Sequence, residues 1–323
     1  MKALLRCRKG SLAAVFCLLL FAAQIAAAAE PLRIILDTDI STDADDAGAV
    51  AVLHGLAARG NIEILAMMVS SGDPYSVSCL SALNNYFGRP EIPIGKISGR
   101  SVRHDSAYTR AVALSAKMLD QTGQDAVALY RRLLARQPDR SVTIVSVGYL
   151  SNLNNLLRSG TDEYSALTGK ELVGRKVKLL VCMGGEYPAG REWNFYQDAR
   201  SSRYVVDQWP TRIVFAGFEL GKNIITGKRL NELASDNPVR LSYLLHNDFQ
   251  GRPSWDQLAV LYASEEAETR EKNFVLSGPG FNIVKKDGSN QWDDNSRGNH
   301  FYLGLKTDAQ EIARIIDTLM MQQ

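Results

Sequence analysis

The chain reads as an α/β protein, an open, doubly wound and mainly parallel sheet flanked by helices. Three observations predict this: short runs that are apolar on both faces recur along the chain, helical patterns separate them, and polar residues gather where the runs end. The strand-like runs are Arg33 to Asp37, Ile62 to Val69, Val142 to Val147, Val177 to Met183 and Arg212 to Ala216. Unbroken apolar character is what a strand covered on both sides by helices requires, whereas a half-solvated strand would alternate.

The elements follow in order. The first run ends abruptly in Asp37-Thr-Asp39-Ile-Ser-Thr-Asp43-Ala-Asp45-Asp46, and the apolar-periodic Ala47 to Ala58 after it predicts a helix ending near Gly60. Helical periodicity returns at Tyr75 to Phe87, Thr109 to Leu119, Ala126 to Leu134 and Ala199 to Gln208. The second half adds helical segments at Asn231 to Ala234, Pro238 to His246 and Trp255 to Ala263. Late strands are expected at Asn273 to Val284 and His300 to Leu305, around a turn near Asp287-Gly-Ser-Asn290. No repeat, low-complexity tract or Pro/Gly/Ser linker divides residues 30–323, so they are read as one domain.

Residues 1–29 have a different character. Lys2, Arg6, Arg8 and Lys9 precede an apolar run from Leu12 to Ala23 and the small residues Ala27-Ala28-Ala29, the layout of a signal peptide cleaved before Glu30. The expectation is an exported protein, periplasmic or secreted, with no stable membrane association after cleavage. Cleavage would remove four basic and no acidic side chains, turning the net charge of +2 into −2. With no basic run left, a nucleic-acid partner is not expected. The cysteines that remain are Cys79 and Cys182; they could pair in an oxidising compartment, but Cys182 lies in an apolar strand and reads as a small buried hydrophobe.

Five carboxylates within ten residues need a reason. One Asp suffices to cap a helix and favour its positive end. Acids packed this closely repel one another, and a hard cation with oxygen ligands relieves the repulsion. They also sit at a strand-to-helix turn, beyond the carboxyl end of a strand, where open α/β sheets bind ligands. Other strand ends carry weaker signals: Gly148-Tyr-Leu-Ser151-Asn152, where Ser151 or Asn152 could cap a helix and present a carbonyl; Met183-Gly184-Gly185; Glu192-Trp-Asn194-Phe-Tyr-Gln-Asp198; and Asp256 opening a helix.

In that order, these motifs resemble the inosine-uridine-preferring nucleoside hydrolase family over most of residues 30–323. Asp37-Thr-Asp39 with Asp45-Asp46 is similar to its opening motif, and Gly148 to Asn152 to its Gly-Pro-Leu-Thr-Asn turn. The resemblance implies a calcium-dependent hydrolase that cleaves the N-glycosidic bond of ribonucleosides in purine and pyrimidine salvage. It implies Ca²⁺ held by Asp39, Asp46, Asp256 and the main-chain carbonyl of Ser151, with Asp39 also the base that deprotonates water. It further implies Asp45, Glu192 and Asn194 on the sugar, a structural role for Asp37, a small nucleoside as partner, and association into homo-oligomers.

This chain departs from the pattern in places. Trp255 stands where many members have His before the last acid; it either stacks on a purine or packs as a large hydrophobe, and donates no proton. Asp73 replaces an Asn and is expected on a sugar hydroxyl. Glu186-Tyr-Pro-Ala-Gly190 is a shortened loop. Among the histidines, His54 reads as a packing residue, His104 as part of a polar loop, and His246 as a helix-end residue. Tyr108, Trp193, Tyr196 and Trp292 could line a base pocket, though aromatics at such positions often serve the core. Two competing readings are a haloacid dehalogenase-like phosphatase, with Asp37 as nucleophile, and a non-catalytic exported protein that keeps the calcium and sugar site for binding.

Overall fold

The computed structural model describes residues 31–295 and 297–322; the leader read at residues 1–29 lies outside them. The strands are β1 (Leu32–Thr38), β2 (Ile62–Val69), β3 (Ile94–Lys96), β4 (Gln124–Asp125), β5 (Val142–Ser146), β6 (Val177–Met183), β7 (Ala189–Gly190), β8 (Arg212–Ala216), β9 (Ile225–Thr226), β10 (Arg252–Pro253), β11 (Phe274–Val284), β12 (Asn290–Asp293) and β13 (His300–Leu305). Eleven of them form one sheet in the order β4-β3-β2-β1-β5-β6-β8-β13-β11-β12-β7. From β4 to β13 every neighbouring pair is parallel, and β11, β12 and β7 continue the edge antiparallel. The chain steps outward from β1 to β4, then returns to β5 on the other side of β1. That reversal opens a crevice beyond the carboxyl ends of β1 and β5.

The sheet is buried on both faces, and its side chains alternate between two cores with a period of two. Ile34, Leu36, Met67, Val69, Val145, Val181 and Val214 enter one core. Ile35, Met68, Ile144, Leu180, Cys182, Ile213 and Phe215 enter the other. The first core is closed by the helices Asp45–Ala57, Ser76–Tyr86, Trp255–Ser264 and Ala309–Met320, the second by Ala126–Arg136, Ser151–Arg158, Gly169–Lys176 and Ala199–Gln208. This is the doubly wound architecture expected from runs apolar on both faces. Leu32 onward forms one compact unit.

Two helices matter most for function. All of Asp45–Ala57, and all of Trp255–Ser264 after Trp255, is buried. The Ala47-Gly48-Ala49 stretch lets them approach closely: a Cβ on Gly48 would lie 2.4 Å from Gln257 Nε2 and 2.6 Å from the Tyr243 hydroxyl. Their first turns, carrying Asp45, Asp46 and Asp256, are thereby brought together.

The structure differs from the sequence reading at the margins. The helix from Thr109 stops at Ser115, before Leu119, where Lys117 takes a left-handed conformation (φ 57°). The segment expected at Asn231 to Ala234 is a 3-10 turn over Lys228–Glu232. The edge strands β3, β4 and β7 are too short to leave a pattern, and β12 begins inside the segment read as a turn. The C-terminal helix Ala309–Met320, capped by Asp308, was not anticipated. Cys79 and Cys182 are free and belong to opposite cores, so they do not pair. Among the described residues no helix is long and apolar enough to cross a membrane.

Replacing Gly48 by Val forces the two buried helices apart and is expected to destabilise the fold by about 1–3 kcal/mol. Chemical denaturation measures it, and a loss below about 0.5 kcal/mol would mean that the contact has slack.

Candidate active site

The last two residues of β1 and the one that follows have three different surroundings. Asp37 points into the second helix layer, where its carboxylate accepts from the Tyr130 hydroxyl (2.8 Å) and Asn152 Nδ2 (3.1 Å). Burial raises its pKa from 3.8 to about 7 against those two hydrogen bonds. Thr38 faces the other way, donating through Oγ1 to Asp46 and accepting from the Ile40 N–H (3.0 Å). Asp39 lines a cavity of about 400 Å³ in the crevice, a size that suits a small molecule.

The same cavity is lined by Asp45, Asp46 and Asp256, whose carboxylates offer oxygens within 4.8 Å of one another, all buried. Burial raises the pKa of each well above the usual range, and the neighbouring carboxylates raise it further. Asp39 is lifted to about 7, chiefly by burial, with Asp43 adding to the rise. Carboxylates held this close out of water either take up protons or share a cation. Their all-oxygen donor set fits a hard divalent ion. Asp45 thus joins the cluster itself, while Asp39 faces Asp46 and Asp256 electrostatically.

The opposite strand ends complete the wall. Glu192 is buried and caps the short helix Trp193–Gln197; its carboxylate accepts from the N–H groups of Asn194 (2.7 Å), Phe195 (3.1 Å) and Gly185 (3.1 Å). Burial lifts its pKa to about 7 despite these bonds. Asn194 Nδ2 donates to the carbonyls of Val147 (3.3 Å) and Met183 (3.4 Å). Glu192, Asn194, Trp193 and Trp255 all line the cavity. The Trp255 indole N–H donates to the Phe218 carbonyl (2.8 Å) and the ring stacks on Phe218 at 5.3 Å, so it offers a ligand ring surface.

Two expected site residues are placed elsewhere. Ser151 does not line the cavity: it opens a helix and its hydroxyl donates to Asp198 (2.6 Å). Val147, just after β5, lines the cavity, and Gly148 next to it packs so tightly on Asp39 that a Cβ there would lie 2.4 Å from the Asp39 nitrogen. Asp73 also lies outside; it accepts from Ser76 Oγ (3.0 Å), which also bonds the Ile40 carbonyl and so supports the acidic loop from beneath. Asp37 is likewise not in the cavity, so the nucleophile that the phosphatase reading needs is out of reach.

The sequence reading missed a clamp on this loop. Arg252 pairs with Asp43 (Nε to Oδ1 2.9 Å, to Oδ2 3.0 Å), and His246 Nδ1 donates to the Thr42 carbonyl (3.1 Å) with Nε2 3.7 Å from Asp43. All four residues line the cavity. The signal available was Arg252 only four residues before Asp256; His246 had been read as a helix-end cation. His54 packs through Asn84 (2.9 Å) and stacks on Phe87, and His300 accepts from the Asn282 N–H (3.0 Å), both away from the cavity. Tyr108 and Trp292 are core residues, as aromatics at such positions often are.

Fold and site together define a class: an α/β protein whose switch-point crevice holds buried carboxylates suited to a divalent ion and a small polar ligand. The model of the inosine-uridine preferring nucleoside hydrolases matches residues 34–309, and the chain belongs to that family. Among solved structures, the plant nucleoside hydrolase PpNRh1 superposes with a TM-score of 0.68 at 17% identity, covering 91% of this chain and 100% of that one. The purine-preferring ribonucleoside hydrolase from Gardnerella vaginalis gives 0.67 at 15% identity, covering 89% and 99%. The type III effector protein XopQ, solved with adenosine diphosphate ribose, gives 0.64 at 15%, covering 90% and 93%. At such identities the likeness establishes the fold. None of the curated proteins compared matches the chain.

The raised carboxyl groups carry a pH signature. A group whose folded pKa lies above its ordinary value contributes stability that is full below that value and lost as pH rises through the folded pKa. With Asp37, Asp39 and Glu192 all near 7, the chelated protein is expected to lose roughly 5 °C or more of Tm between about pH 5 and about pH 8, and an added divalent cation to flatten that slope. Thermal melts with and without chelator test this; parallel slopes count against a cation at the cluster.

Proposed function

We propose that this protein is a calcium-dependent hydrolase that cleaves the N-glycosidic bond of ribonucleosides to give ribose and free base. The observation that carries the reading is the buried trio Asp45, Asp46 and Asp256 beside Asp39, in the crevice of a chain belonging to the nucleoside hydrolase family. Asp39, Asp46 and Asp256 would hold the calcium, with Asp45 adjacent. When bound, the ion lowers the pKa of a coordinated water and orients the ribose diol.

The residues of the chain do the rest. Asp39, whose affinity for a proton is raised to near neutrality, is suited to take the proton of a water attacking C1′. Asp45, Glu192 and Asn194 hold the sugar hydroxyls. The surrounding carboxylates face the positive charge that develops on the sugar as the bond to the base breaks. Trp255 and Phe218 provide an aromatic wall for the base, and the Trp255 N–H, already bonded to a carbonyl, is no acid for the leaving group. The reading includes export: the basic start, the Leu12 to Ala23 run and the small residues before Glu30 support removal of residues 1–29, which N-terminal sequencing of the protein recovered outside the cytoplasm tests.

Turnover of inosine, uridine and adenosine by the purified protein is expected to vanish in chelator and return with calcium. Asp39→Ala should lower kcat by about 10²- to 10⁴-fold. Calcium and ribose binding without turnover would instead favour a binding protein.

A further inference from the structure

The carboxylates of the trio come from two elements far apart in the chain, and each element is preceded by one half of an ion pair. Asp43 stands two residues before Asp45, and Arg252 four residues before Asp256. The Arg252 fork grips Asp43 with two prongs: Nε lies 2.9 Å from Oδ1 and 3.0 Å from Oδ2, and Nη2 also donates to Oδ2. A planar guanidinium on a carboxylate fixes direction as well as distance, which a point charge does not.

Each half is anchored to the helix that follows it. Asp43 Oδ1 accepts from the Asp45 N–H (3.4 Å), and the Asp43 carbonyl accepts from the buried Tyr108 hydroxyl (2.7 Å). Arg252 lies in β10, paired with Thr226 of β9, and the Thr226 hydroxyl bonds that of Ser254 (2.6 Å), the residue before the helix Trp255–Ser264. The guanidinium also lies over the Trp255 ring at 5.0 Å, so the second helix holds it as well. The pair therefore ties together the first turns of the two helices that carry the trio, and both of its members line the cavity.

As a charge, Arg252 works against a bound cation, since it faces Asp43, Asp45 and Asp256 electrostatically. A guanidinium kept beside a site for a divalent ion serves there as a strut. Whenever the three buried carboxylates are ionised they repel one another, and without a tie that repulsion would part the two helix ends before an ion arrives.

We propose that Arg252 is a positioning residue of the ion site: its pairing with Asp43 staples the two helix ends so that Asp45, Asp46 and Asp256 stand converged before an ion binds, an inference that rests on the reading of this trio as a calcium site. The staple acts through geometry and in spite of the sign of its charge.

Two variants keep the net charge of the cavity and remove the tie. Arg252→Lys keeps the cation but loses the fork, and Asp43→Asn combined with Arg252→Met removes one charge of each sign. Calorimetric titration of calcium and of magnesium into the chelator-stripped proteins, with no nucleoside present, is expected to show calcium bound roughly three- to tenfold more weakly by Arg252→Lys and about ten- to a hundredfold more weakly by the double variant. Because a loosened set of carboxylates can close on the smaller ion, the ratio of calcium to magnesium affinity is expected to fall in both. A loss of folding alone would weaken both ions alike. Full calcium affinity in either variant, or equal losses for the two ions, overturns the staple, and Arg252→Lys decides the matter if the double variant fails to fold. Absence of calcium binding by the unmutated protein overturns the calcium reading and the staple together, whereas calcium bound equally well by all three proteins overturns the staple alone.

Discussion

The electrostatic crowding of Asp45, Asp46 and Asp256 governs this molecule. Two helices with few large side chains at their crossing place these carboxylates in the interior, where an isolated charge is costly and three adjacent ones costlier still. Among the described residues no lysine or arginine bonds directly to the trio; Arg252, which lines the cavity, is spent on Asp43. The helix N-termini offer partial positive charge, worth too little to balance three buried anions. What remains is protonation or a divalent ion.

The surrounding structure serves to keep that cluster in register. Asp46 is aimed by Thr38, the last residue of β1, and the loop between them is held from one side by Ser76 on the Ile40 carbonyl and from the other by Arg252 and His246. Asp37, two residues before Asp39, has no share in the cavity because the strand turns it toward Tyr130 and Asn152. Its hydrogen bonds tie β1 to the two helices of the opposite layer. Carboxylates two residues apart thus differ in role through their surroundings alone.

Much of this was legible beforehand, and the parts that were not have physical reasons. Runs such as Val177 to Met183, apolar on both faces, could belong only to a covered strand, so the sheet could be read. The acid cluster was legible because five carboxylates exceed any capping need. Edge strands two or three residues long, such as β4 and β3, carry too little pattern to distinguish from turns. Ser151 was expected to offer its main-chain carbonyl because the motif from Gly148 to Asn152 resembles the family's turn; a crevice carbonyl leaves no trace in residue type, and the apolar Val147 lines the cavity where Ser151 does not. His246 and Arg252 reach the loop by tertiary packing across some two hundred residues of sequence, a contact that no local periodicity encodes.

Trp255, where the family pattern that the sequence resembles has His, then has a structural consequence. An imidazole there would have placed a titratable group next to Asp256, adding a proton source and drawing some of its charge. Trp255 adds neither. Its N–H is satisfied by Phe218, its ring is stacked on that residue, and Gly221 leaves room for it, since a Cβ there would lie 2.5 Å from the indole. The position has become part of an apolar wall, while the histidine that does line the cavity, His246, comes from another helix and is occupied with Thr42. Residue 255 is therefore no source of a proton for a ligand in this cavity, and what it offers there is ring surface.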